Sequence, residues 1–175
     1  EGAAQRCGID RPLWDAMAMC RDPNIDIVDL GTRPGVRLPM VIEALKHGKH
    51  VYNSCPHAPD WAGAKAIDAA WDRSVSRTAV DAFSRYLPAH LQMQRMIADG
   101  FLGQVLGGTC RFNMSLFNRP DKRFPYNWFA DGAAGVSALR NFGSHLLYLL
   151  CELLGPVEEL VADDRQVLRE WVFTD

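Results

Sequence analysis

The sequence predicts an α/β fold: a parallel sheet with a connecting helix in the first half, then an α+β domain with a mainly antiparallel sheet. Three observations carry this prediction. Ile25–Leu30 is a short apolar, β-branched run ending at Gly31, the pattern of a strand buried on both faces. Met40, Val41, Ala44 and Leu45 recur at helical spacing, and Gly48 closes that helix before Lys49–His50–Val51–Tyr52 begins a second strand. Leu106–Phe117 alternates Cys110, Phe112, Met114 and Leu116 with Arg111, Asn113 and Ser115, which is the period of an antiparallel strand with one wet or ligand-facing side.

Each element has its own local reason. Arg11–Cys20 has Pro12 in a helix-start position, with Leu13, Trp14, Met17 and Met19 for burial, and Asp22–Pro23 stops it. Thr32–Arg33–Pro34–Gly35 is turn chemistry, and Pro39 suits the first turn of a helix, where its missing N–H is not needed. The short connections between strand, helix and strand favour parallel pairing with a right-handed crossover. Pro59–Trp71 is an alanine-rich helix with Asp60 as N-cap and Trp61, Ala64, Ile67 and Trp71 on one face. Arg77–Phe83 is the next strand. Ala89–Asp99 is a helix with Leu91, Met93, Met96 and Ile97 as its apolar residues, ended by Gly100. Asn118–Ala134 is a long irregular loop with Phe124, Tyr126, Trp128 and Phe129, and loops of that length are often functional. Gly135–Leu154 is an apolar helix closed by Gly155–Pro156, with two further strands at Val157–Ala162 and Val167–Val172. The expected domains are residues 1–87 and 88–175.

Composition excludes several functions. Hydrophobic content of 48% and charged content of 23% are ordinary for a folded soluble domain. A net charge of −2 speaks against nucleic acid, which needs a concentrated basic face. No apolar run approaches the roughly 18–20 residues of a membrane span. The opening EGAAQRCG has no apolar core of the kind a signal peptide carries. The cysteines, Cys7, Cys20, Cys55, Cys110 and Cys151, are odd in number and widely spaced, so a reducing cytoplasm is expected and a disulfide framework or zinc site is not.

The stretch Asn24–Ala58 resembles the second half-Rossmann unit of the Gfo/Idh/MocA family of NAD(P)-dependent oxidoreductases, whose pattern is T-x-P-x-x-x-H, a helix, A-L-x-x-G-K-H-V, then E-K-P. Thr32, Pro34, Ala44–Leu45, Gly48–Lys49–His50–Val51 and Pro56 fall on it. Leu38 stands where the family has His, and Ser54 and Cys55 where it has Glu and Lys. Ser84–Pro88 is similar to the family's f-x-R-x-x-P junction, and Gly100–Val105 to its G-x-L-G-x-V turn. The resemblance implies a partial Rossmann-type sheet followed by a substrate domain. It also implies a first strand and a glycine-rich G-x-G-x-x-G turn upstream; Gly2 and Gly8 are isolated, so the chain is expected to be an N-terminally truncated piece, its last sheet incomplete as well.

The resemblance further implies the chemistry. A hydride transfer needs a nicotinamide held against the substrate carbon and a group that moves the hydroxyl proton. The family's D-x-x-x-H motif corresponds to Asn141–Phe142–Gly143–Ser144–His145, leaving His145 as the proton-exchanging residue. The competing reading of His145 is a structural helix histidine. Asn141 can hold a hydroxyl but cannot be a base, and an N-cap is its plainer role. Cys55 lies at the end of a parallel strand, on the ligand side of such folds, as a possible third catalytic group or as an inert thiol. His57, two residues on, is a candidate to compensate or a surface loop histidine. Thr32 and Pro34 are cofactor-wall candidates or simple turn residues, and Arg85 contacts cofactor or substrate or forms a surface salt bridge. Lys122–Arg123 would meet an anionic substrate or are simply solvated, and Trp128 would stack on a sugar or fill an ordinary core position.

The implied cofactor is NAD or NADP and the implied partner a small-molecule sugar, cyclitol or polyol, with self-association through the second-domain sheet. A non-catalytic dinucleotide- or sugar-binding relative, or an inactive fragment, is the alternative.

Overall fold

The computed structural model describes residues 2–114, 127–130, 137, 139–165 and 170, and the chain divides into two units, Glu1–Asp81 and Ala82–Asp175. The first unit opens with helices α1 (Gly2–Arg6) and α2 (Ala16–Arg21). The expected helix start at Pro12 is displaced to Asp15, whose carboxylate accepts the Met17 N–H at 2.8 Å. Leu13 and Trp14 therefore precede the helix and are exposed. An N-cap that satisfies an orphan amide prevails over a proline that merely tolerates the first turn.

Strand β1 (Ile27–Leu30) leads into helix α3 (Pro34–Lys46) and strand β2 (His50–Asn53). Helix α4 (Trp61–Trp71) then returns the chain to strand β3 (Thr78–Val80). All pairing is parallel, in the order β1-β2-β3. Ile27 lies opposite His50, Leu30 opposite Asn53, and Val51 opposite Thr78.

The proline that starts α3 is Pro34, at the first helical position, so Pro39 lies inside the helix rather than at its opening. The helix ends as anticipated. Gly48 adopts φ +71°, a left-handed conformation that costs a side chain strain. The Gly48 N–H bonds Leu45 O and the Lys49 N–H bonds Ala44 O, the paired bonds of a Schellman cap. Asp60 caps α4 by accepting the Gly63 N–H at 2.7 Å.

The core is Cys20, Val28, Leu30, Val41, Ala44, Leu45, Val51 and Ile67, supplied by α2, β1, α3, β2 and α4. It occupies one face of the sheet. Val28, Leu30, Val51 and Asn53 point into it, whereas Ile27 is 65% exposed and Tyr52 is also exposed. The expected two-faced burial of β1 is corrected: the helices that bury β1 and β2 supply only one face of the core. On α4, Ile67 is buried, but Trp61 and Trp71 are exposed, so the expected four-residue face narrows to its centre.

The second unit contains a 3₁₀ turn (Phe83–Tyr86), helix α5 (Pro88–Ala98), a 3₁₀ turn (Asn127–Ala130), a π-helical turn (Leu139–Gly143) and helix α6 (Ser144–Leu154). Among the described residues of the predicted Gly135–Leu154 helix, Leu139–Gly143 is the π turn and the α-helix spans Ser144–Leu154. The expected antiparallel sheet is not formed among the described residues. Residues 106–114 and 157–162 have no strand pairing, because alternation prepares a face but only a hydrogen-bonded neighbour makes a strand. Residues 115–117 of the first predicted strand, and all of Val167–Val172 but residue 170, lie outside the described residues. So do Lys122–Arg123, Phe124 and Tyr126.

Candidate functional site

The C-terminal ends of the parallel strands form the first candidate region, since ligands bind there in folds of this class. Gly31 and Thr32 follow β1 and are exposed, and nothing lies within 4 Å of the place a Cβ on Gly31 would occupy. Pro34 is fully buried in the first turn of α3. Cys55 is buried just beyond β2, before a cis peptide to Pro56. Leu38 packs on the margin of the core.

The residue that organises these turns is Arg37, which sequence reasoning missed. It is 2% exposed. Its Nε donates to Asn53 Oδ1 at 2.7 Å, Nη1 donates to the Thr32 carbonyl, and Nη2 donates to the carbonyls of Ser54 and Pro56. Burial lowers its pKa to about 10, opposed by the nearby Cys55, so it remains a cation at neutral pH. The sequence held one signal: Arg37 precedes Val41 by four residues and so lies on the same stripe as Val41, Ala44 and Leu45.

Asn53 carries the network onward. Its Nδ2 donates to the His57 carbonyl at 2.8 Å and lies 3.3 Å from His57 Nδ1. An amide nitrogen can only donate, so Nδ1 is the acceptor and the neutral ring carries its proton on Nε2. Burial pushes the His57 pKa down; Asp68 opposes this and Arg37 adds to it. His57 is therefore half-buried and bonded, which corrects its reading as a surface loop residue.

The second candidate region surrounds the start of α6. His145 lies in its first turn with its ring centroid 4.9 Å from that of Phe83. Its carbonyl accepts the Ser84 hydroxyl at 2.9 Å. The Ser84 carbonyl in turn accepts from His90 Nδ1. Asn141 lies within the π-helical turn, donating its N–H to Ser137 O at 3.0 Å and accepting the Ser144 hydroxyl at 2.7 Å. The residue preceding α6 is Gly143, so Asn141 is not its N-cap, contrary to the plainer expectation. A single π turn feeding a helix is a feature that recurs at functional sites.

Arg85 forms an ion pair with Glu152 of α6 and lies over the Tyr86 ring at 5.2 Å. Trp128 packs on Phe129 at 4.4 Å, and Phe129 stacks with Phe142 of the π turn at 6.0 Å. The structure thus gathers Thr32, Pro34 and Cys55 at the strand ends of the first unit, and His145, Asn141 and Arg85 around α6 of the second. Among the described residues, no group of three or more His, Cys, Asp or Glu could hold a metal. No helix there is long and apolar enough to cross a membrane.

Comparison with known proteins agrees with this architecture. Residues 90–174 match the family model of the GFO/IDH/MocA C-terminal domain. The chain is 28% identical to dehydrogenase aclE of Aspergillus oryzae over 180 residues, covering 100% of this chain and 48% of that protein. It is 28% identical to levoglucosan dehydrogenase of Pseudarthrobacter phenanthrenivorans over 174 residues, covering 97% of this chain and 42% of the relative. The chain therefore spans less than half the length of these two curated relatives. Its fold matches a solved levoglucosan dehydrogenase in complex with NADH and levoglucosan, with a TM-score of 0.76 and 27% identity over 88% of this chain and 41% of that one. It also matches the WlbA dehydrogenase of Bordetella pertussis in complex with NADH and UDP-GlcNAcA, with a TM-score of 0.70 and 27% identity over 90% of this chain and 45% of that one. The parallel unit with its T-x-P and G-K-H-V signatures and the domain match that follows it point the same way: the chain resembles the Gfo/Idh/MocA oxidoreductases, and its residues 90–174 match the C-terminal domain of that family.

Proposed function

We propose that the protein carrying this chain is an NAD- or NADP-dependent oxidoreductase that acts on a sugar, cyclitol or related polyol. The observation that carries the reading is the open turn at the C-terminal end of β1, in a parallel sheet whose solved relatives include NADH complexes. The exposed Gly31–Thr32 backbone, with space beside Gly31, fits a dinucleotide lying across the strand ends. Thr32, Pro34 and Arg85 are the residues we assign to cofactor binding, Pro34 by shaping the turn from beneath. A bound nicotinamide supplies the hydride acceptor or donor that side chains lack.

The chain's own residues handle substrate and proton. His145 takes the hydroxyl proton of the carbinol in the oxidising direction and returns it in the reducing one, because imidazole exchanges protons near neutral pH. Asn141 holds a substrate hydroxyl by donating and accepting hydrogen bonds, without acting as a base. Cys55 is the third residue we assign to the catalytic set, a thiol that brings no positive charge of its own. The ring faces of Trp128, Phe129 and Phe142 suit the C–H faces of a sugar. We further assign the enzyme to the cytoplasm, supported by five cysteines that form no disulfide. Self-association through the second-domain sheet belongs to the same proposal.

The test is steady-state turnover of the full-length protein with NAD and NADP against a panel of sugars and polyols. His145→Ala is expected to lower kcat by about 10²-fold or more with a smaller change in cofactor KM. An unchanged kcat would remove His145 from the mechanism. The second reading, a non-catalytic dinucleotide or sugar sensor, is favoured by Asn141 and Cys55 standing where the resembled pattern has Asp and Lys; it predicts saturable binding without turnover.

A further inference from the structure

We propose that Arg37 is the positioning residue of the candidate cofactor wall, one buried guanidinium that clamps the turn after β1 to the Cys55-bearing turn after β2. The inference rests on the reading of these strand ends as the cofactor side of the fold.

Its basis is geometric. Arg37 projects from α3 at 2% exposure and is held by four acceptors: the Thr32 carbonyl beyond β1, the Ser54 and Pro56 carbonyls beyond β2, and Asn53 Oδ1 at 2.7 Å from the last residue of β2. Asn53 extends the clamp by donating to the His57 carbonyl at 2.8 Å. The last backbone bond between these two strand ends runs from the Ser54 N–H to Leu30 O at 3.3 Å, so the turns beyond it need another source of register. A planar fork with N–H groups in fixed directions supplies it, and a lysine, with a single nitrogen, cannot reach the same four acceptors. The guanidinium is too enclosed to touch substrate, so its effect on chemistry passes through Thr32 and Cys55. Small misplacements of such walls are costly, because a reacting geometry is sensitive to shifts of about 1 Å.

The experiment uses the full-length protein with Arg37→Lys and Arg37→Ala. Thiol labelling is followed by mass spectrometry of the separate cysteine peptides. Cys55 is expected to label at least about tenfold faster in both variants, as a locally opened turn would allow. Cys20, buried in the core of the same unit, is expected to stay slow and so reports that the unit remains folded. Cofactor KM is expected to rise by about tenfold with a smaller change in kcat, and methylguanidinium added to Arg37→Ala to restore both readouts in part.

Equal acceleration at Cys20 and Cys55 would make Arg37 a general stability residue and overturn the proposal. Unchanged Cys55 labelling, or an unchanged KM in an active variant, would overturn it too. A wild-type protein without turnover would instead remove the dehydrogenase reading, and Cys55 labelling alone would then decide whether the clamp exists.

Discussion

A buried guanidinium without a carboxylate beside it is tolerated only when its N–H groups are matched by acceptors, since an uncompensated charge costs several kcal/mol. At Arg37 the acceptors are three carbonyls and one amide oxygen, so Asn53 is a structural partner as much as a strand residue. Asn53→Ala is expected to lower stability by about 1–3 kcal/mol, visible as a lower urea midpoint, because it strands Arg37 Nε and releases His57. His57 adds a pH dependence. Its folded-state pKa is pushed below the ordinary histidine value, chiefly by burial. The unfolded chain therefore binds the proton more readily, and the contribution is fully present above about pH 6.5 and is lost as pH falls through the lower folded-state value. Denaturant midpoints measured at falling pH should decline less steeply in His57→Gln than in the wild type. Motif positions in the sequence mark His145, Thr32 and Cys55 as candidates. Arg37 and Asn53 carry no such mark, since a charged or amide side chain inside an amphipathic run reads as solvated until its acceptors are seen.

At the scale of elements, caps and turns were readable and burial was less so. Gly48 closes α3 with positive φ, and Gly48→Ala is expected to cost about 1–2 kcal/mol, the penalty of a left-handed L-residue. Gly100 serves α5 in the same way at φ +78°, with Phe101 N–H bonded to Met96 O at 2.9 Å. Ile67 is the one fully inward side chain of α4, so Ile67→Ala should destabilise the first unit by about 2–5 kcal/mol, whereas Trp61→Ala, at an exposed position, should change it little. A thermal or urea melt of each variant checks the pair. The start of α3 at Pro34 and the π turn before α6 were not readable. Apolar periodicity marks the buried face of a helix, not its first residue.

At the scale of the molecule, parallel pairing in the order β1-β2-β3 leaves Ile27 and Tyr52 exposed on the uncovered face. In the second unit Leu106 is 89% and Val161 99% exposed. Apolar side chains and unpaired strand segments of this kind favour association. The 175-residue chain by itself is therefore expected to self-associate at micromolar concentration, which light scattering would show; a monodisperse monomer would contradict this.

The sequence by itself determined the parallel strand–helix–strand unit, its caps and the family signature, because these rest on short-range spacing, turn stereochemistry and residue identity. Only the tertiary structure decided that one face of the sheet carries the core, that Asn141 lies in a π turn rather than at a cap, and that Arg37 holds the strand ends together. The physical reason is that burial and hydrogen-bond satisfaction are properties of what surrounds a residue. A guanidinium becomes a clamp only when distant carbonyls, from residues 32, 54 and 56, arrive at the same place.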